Sequence, residues 1–141
     1  MDGLISRRHL SLDLAIALLD RVRSEAEARD LSLASVVVDR AGHVLASQRM
    51  DGAALGAMRL AFGKAFTAVS WATPSGEFGA STQPGGEDWG WNTTDARVVV
   101  YAGGIPLLVD GELVGAVGAS GGTAGEDEEC VVAAASGLGF D

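Results

Sequence analysis

The dipeptide Asp110-Gly111, set within "IPLLVDGELVGAVGAS" (105–120), constrains the fold of this chain more than any other feature. Apolar residues run up to it and away from it. Asp-Gly is among the few pairs that accept positive φ at both central positions of a two-residue turn, and the twist of that turn suits antiparallel strands. A second hairpin is written in "LASVVVDRAGHVLASQRM" (33–50). The β-branched Val36, Val37 and Val38 lead into a turn at Arg40-Ala41-Gly42, with Gly42 at positive φ, and "HVLASQR" runs back. "ARVVVYAG" (96–103) has the same character and predicts one more strand. Five strands joined largely by hairpins make an antiparallel sheet, whose apolar face helices must cover.

The helices are legible from their periodicity. Leu14, Leu18 and Val22 recur every fourth residue, Ala15, Leu19 and Ala26 widen the stripe, and Asp20, Arg23 and Glu27 lie away from it. This predicts a helix over about Leu12 to Arg29, with Ser11 as N-cap and Asp13 in the favourable first turn. Leu55, Met58, Phe62, Ala65 and Val69 predict a second helix over about Ala53 to Ser70, stopped by Thr73-Pro74. Gly56 and Gly63 inside it suit the close approach of another backbone. A loop with a short helical turn near "SGEFGAS" (75–81) runs to about Asp95, and a last helix spans about Gly125 to Leu138. The expected order is α-β-β-α-loop-β-β-β-α, an α+β fold in a single domain over residues 1–141.

Charge narrows the function. Ten Lys+Arg against nineteen Asp+Glu leave a net charge of −9, which opposes binding to nucleic acid and to an anionic membrane surface. No apolar run approaches the roughly 20 residues of a membrane span. "MDGLISRRHL" lacks the apolar core of a secretory signal, and the single cysteine, Cys130, makes no internal disulfide. A cytoplasmic protein is expected.

"VVVDRAGHVLASQRMDGA" (36–53), "AFGKAFTA" (61–68), "GGIPLLVDGELVGAVGASGG" (103–122) and the acidic helix start with Asp127 resemble the GlcG/HbpS family, also called DUF336 or the haem-degrading domain, and found as the C-terminal part of PduO-type proteins. The resemblance covers about residues 10–138. It implies a five-stranded antiparallel sheet with flanking helices, assembled as a homo-oligomer of two or more copies. Some relatives bind haem or corrinoids, so haem is the cofactor the resemblance suggests.

The candidate site residues carry two readings each. A haem iron usually takes an axial ligand from His, Cys, Met or Tyr. His9 lies beside Arg7 and Arg8, which suit propionates, whereas His43 opens a strand and Cys130 sits on an apolar helix face. In "RMDGA", Asp51 is either the N-cap of the second helix or, with Arg49, part of a pocket. Lys64 is a snorkelling surface lysine or, if buried, the partner of a carboxylate. The acids Glu126, Asp127, Glu128 and Glu129 suit a helix dipole and a solvated face; no metal site is expected of them. Gly103 and Gly104 read as tight strand-end turns that border a pocket. Trp71 is expected in the core. In "GGEDWGWNTTD" (85–95), Trp89 and Trp91 either cap the core or wall a ligand site, with Asn92 and Asp95 at its polar edge.

Two functions follow. The first is binding of an apolar or aromatic small molecule, haem or another tetrapyrrole being the family's suggestion, in a pocket bounded by Met58, Phe62, Trp89, Trp91, Asn92, Gly103 and Gly104. The alternative is a cofactor-independent enzyme of isomerase, cyclase or lyase type. In it Asp51, Asp95 or a residue of the 126–129 cluster would move protons, Lys64 or Arg49 would stabilise negative charge, and the tryptophans would hold the substrate.

Overall fold

Both hairpins form, and they join into one sheet. Strand β1 (Ala34–Asp39) pairs antiparallel with β2 (Val44–Arg49), and β3 (Gly104–Val109) pairs antiparallel with β4 (Glu112–Ser120). β4 lies antiparallel against β1, so the order is β2-β1-β4-β3 in this computed structural model, which describes all residues, Met1–Asp141. Asp110 and Gly111 both have positive φ, 52° and 74°, as a two-residue hairpin turn of this type requires. Gly42 turns the first hairpin at φ 86°.

The sheet has four strands, not five, although the α+β architecture with three helices holds. The expected strand at 96–103 runs without a ladder, because its backbone groups are taken elsewhere. Val98 N–H donates to the Asp95 carbonyl at 3.1 Å. Val99 N–H donates to Thr67 Oγ1 at 2.9 Å, and Ser75 Oγ donates to the Tyr101 carbonyl at 2.6 Å. Val99 packs its side chain against the helix at Gly63 instead of against a neighbouring strand.

The helices are α1 (Leu12–Ala28), α2 (Ala57–Trp71) and α3 (Ala124–Ser136), with short 3-10 turns at Ser75–Phe78 and Trp91–Thr93. Ser11 Oγ caps α1 by accepting from Leu14 N–H at 3.1 Å. Thr123 caps α3, with Thr123 Oγ1 also donating to Glu126 Oε1 at 3.0 Å. α2 starts later than expected, because the chain first makes turns that bond Ala53 N–H to the Met50 carbonyl and Ala57 N–H to the Ala54 carbonyl. Its N-cap is therefore Gly56, with no capping side chain, and Asp51 caps nothing. Leu55 falls outside the helix and is 91% exposed.

Alternation in β1 sends Val36 and Val38 to one face and Val37 to the other. Val36, Val38 and Ala116 pack under Ala57, Ala61, Ala65 and Ala68 of α2. Val37 and Val117 meet Leu18 and Val22 of α1 and Cys130 and Val131 of α3. The α2 layer is built from small residues because its backbone rides on the sheet. A Cβ at Gly118 would collide with the Ala61 carbonyl, and one at Gly104 with the Lys64 carbonyl. Gly63 serves the close approach expected of it: a Cβ there would meet Val99 and stand 2.9 Å from the Arg97 carbonyl. No helix is long and apolar enough to cross a membrane.

Candidate functional site

The irregular segment 96–103 makes one wall of a cleft. Leu60 on α2 and Val98, Val99, Val100 and Tyr101 form its floor and side. Gly79, Thr82 and Gln83 close a second side, and Trp89 and Asn92 a third. The cleft encloses 290 Å³, at the lower end of the roughly 300–1,000 Å³ typical of small-ligand pockets. Its position is set by a few buried polar groups. Ser75 Oγ fixes the chain at Tyr101 and also accepts from Gly104 N–H at 3.0 Å. Thr82 Oγ1 donates to the Phe78 carbonyl at 2.8 Å and holds the opposite wall.

Trp89 and Trp91 do different things. The chain between them turns through Gly90 at φ 85° and enters a 3-10 turn, so the same-side rule for extended residues does not operate. Trp91 packs edge-on against Trp71, with ring centroids 4.7 Å apart, and lies 5.1 Å from Phe78. This aromatic cluster anchors the loop. Trp71 takes part from the surface, 45% exposed, and is not the core residue expected: it is the last residue of α2 and packs on Phe78 and Trp91 instead. Trp89, at 65% exposed, is left free to stand over the cleft. Tyr101, the chain's only tyrosine, is 63% exposed there. It was legible as a site residue only from its being the sole phenol in the chain, a signal obscured by its place in an apparent strand.

Of the other expected pocket residues, Met58 and Phe62 pack at the border of the α2 core. Gly103 and Gly104 do not open onto a cavity. A Cβ at Gly103 would stand 2.9 Å from both Lys64 Nζ and Asp127 Cβ. The two glycines thus close around a buried ion pair. Lys64 is 2% exposed, not a surface lysine. Its Nζ donates to Asp127 Oδ2 at 2.8 Å and to the Ala119 carbonyl at 3.0 Å. Asp127 Oδ1 accepts from Gly122 N–H at 2.8 Å. Asp127 is 1% exposed, so the acidic run at the start of α3 is not wholly a solvated face.

The remaining acid–base residues lie apart from this pair. Asp95 is bonded to Arg97 through Oδ2 at 2.7 Å, and that hydrogen bond pulls its carboxyl down to about 2. Arg97 in turn covers the Phe66 ring at 4.2 Å. Arg49 and Asp51 share a separate cavity with Arg23, Glu27, Ser32 and Gln48. His9 is exposed on the N-terminal arm, outside the cleft, between Arg8, which is bonded to Glu112 at 2.8 Å, and buried Leu10. His43 is exposed in the first hairpin, 3.7 Å from Asp39. The Cys130 thiol is buried and pushed up by desolvation.

Comparison with known proteins agrees with this architecture. The family described as haem degrading protein HbpS-like matches residues 10–136. Protein GlcG of Escherichia coli (strain K12) is 34% identical over 116 residues, which are 79% of this chain and 81% of GlcG. The crystal structure of the Klebsiella pneumoniae protein ORFY superposes with a TM-score of 0.91 at 29% identity, over 96% of this chain and 97% of that one. That of the PduOC:Heme complex superposes with a TM-score of 0.90 at 29% identity, over 94% and 97%.

Proposed function

The chain belongs to the HbpS-like family, and from that premise we propose that it binds a flat, largely apolar small molecule of the tetrapyrrole class in the cleft between Trp89 and Tyr101. The observation that carries this reading is the cleft itself. Six of its ten lining residues are hydrophobic, two exposed aromatic rings stand at its mouth and the Asn92 amide is adjacent, a mixture of apolar and polar groups of the kind small-ligand sites use. A relative of the same fold was crystallised as a haem complex, which makes haem the first ligand to test.

The lining residues fit a macrocycle in part. Leu60 and the valines suit its face, and Trp89 can stack on it. Tyr101 supplies an oxygen of a type that ligates haem iron. The cleft contains no arginine or lysine, so propionates would point to solvent. At 290 Å³ it seats an edge of the ring rather than the whole. When bound, haem would supply redox and oxygen chemistry; the residues here would orient it and shield one edge from water. The acid–base enzyme reading gains no comparable support. Lys64 is sealed in an ion pair, and Asp95 is committed to Arg97.

Hemin titration followed by absorbance tests the proposal. A saturable, near-stoichiometric Soret shift is expected. Trp89→Ala should weaken it, Tyr101→Phe should change its position, and His9→Ala should leave it intact. Absence of any shift beyond that of free hemin would sink the haem reading. A shift lost in His9→Ala but indifferent to the other two would move the site to the N-terminal arm.

A further inference from the structure

The largest cavity of the molecule is not the aromatic cleft and shares no residue with it. It encloses 530 Å³ between the C-terminal half of α1 and the end of β2, and only one residue of its lining, Met50, is hydrophobic. Arg23 and Glu27 come from α1, Ser32 from the approach to β1, and Gln48, Arg49 and Asp51 from the end of β2 and the turn after it. The cavity is bipolar. Arg8, Arg29, Arg40 and Arg97 are tied to carboxylates, whereas Arg7, Arg21 and Arg59 are not. The Arg49 guanidinium has no such partner, and neither has the Asp51 carboxylate. They are two residues apart on one cavity wall, yet they do not pair with each other. Arg23 is paired with Asp20 at 3.3 Å and lies 4.0 Å from Glu27. An unpaired positive group, Arg49, and an unpaired negative one, Asp51, thus face one space beside the Arg23–Glu27 pair.

We propose that this cavity is a second ligand site, and that its ligand is a zwitterion of the amino-acid class. A planar guanidinium at Arg49, assisted by Arg23, matches a carboxylate. Asp51 and Glu27 match an ammonium group carried on the same small molecule. Ser32 and the Gln48 carbonyl offer hydrogen bonds between them; the Gln48 amide N–H is already donated to the Leu19 carbonyl, which fixes its orientation. The charge of the whole chain selects within this chemistry. At −9 the protein repels simple organic anions, whereas a zwitterion, being net neutral, meets no such barrier.

Glycine, L-serine and L-glutamine are the probes, with lactate and acetate as controls. Each is titrated into the full chain at low salt while the backbone amides of Ser32 and Gly52 and the Arg49 Nε–H are followed by NMR. At least one amino acid should give saturable shifts at all three positions, with the controls markedly weaker. Arg49→Gln and Asp51→Asn should each weaken that response by roughly tenfold or more, while the melting curve stays at the wild-type position. Neither side chain is bonded within the chain, so both variants should fold. Failure of every amino acid to saturate overturns the proposal, as does acetate matching the best of them, which would reduce the site to an adventitious anion on Arg49. Wild-type affinity in either variant overturns it as well.

Discussion

Lys64 is the only lysine in the chain, and its ammonium is buried. Removing a charge from water is costly, and this one is offset by the Asp127 carboxylate and the Ala119 carbonyl. Lys64→Met leaves Asp127 buried without its counter-charge and should destabilise the fold by about 3–5 kcal/mol in urea unfolding. The double variant Lys64→Met, Asp127→Leu should recover much of that loss, since no charge is then stranded. If the double variant is no more stable than the single one, packing around Gly103, rather than the unpaired carboxylate, accounts for the loss. Asp95 is the opposite case, a partly exposed carboxylate held low by Arg97. A carboxyl lowered in the folded state contributes stability above its unfolded pKa of 3.8 and loses it as the pH falls toward about 2. Asp95→Asn should therefore lower stability modestly near neutrality, change little below about pH 2, and flatten the acid limb of a stability–pH curve between those values. An unchanged acid limb would place the acid sensitivity elsewhere.

At the scale of elements, the segment 96–103 is the instructive one. The hairpin turns were legible because their chemistry is local: Asp110-Gly111 and Gly42 need positive φ wherever they occur. The stripe of α1 was legible for the same reason, with Ser11 as its cap. "ARVVVYAG" misled because β-branched residues report a half-buried extended chain, not what it hydrogen-bonds to. Here the acceptor for Val99 N–H is a hydroxyl on α2, a long-range partner no local pattern carries. The same limit hid the pairing of Lys64 with Asp127, 63 residues away. It also hid the cleft, which exists because the segment leaves the sheet. Thr67→Val keeps the shape of the buried side chain and removes that acceptor. It should cost about 1–3 kcal/mol in chemical denaturation and speed hydrogen exchange at Val99. Unchanged exchange at Val99 would mean that the valine packing alone holds the segment.

Seen whole, the molecule is a sheet with α2 on one face and α1 and α3 on the other, and the Lys64–Asp127 pair joins the two layers around the end of the sheet. Lys64 comes from α2 and Asp127 from α3, and they meet where β3 begins and β4 ends. No smaller motion than separation of the layers should expose the ammonium. This has a consequence that a chain with a single lysine makes easy to measure. An amine-reactive ester should label the native protein at the N-terminal amine alone, and Lys64 only after opening. The rate of labelling at Lys64 should rise with urea with the same slope as global unfolding, since that slope reports the surface exposed in the opening event. Labelling that is fast, or that ignores urea at low concentration, would show that one helix end frays by itself and that the pair does not hold the layers together. The same measurement with hemin present addresses the aromatic cleft. A ligand that binds only the folded form should slow labelling of Lys64 in proportion to its occupancy, although it touches neither Lys64 nor Asp127.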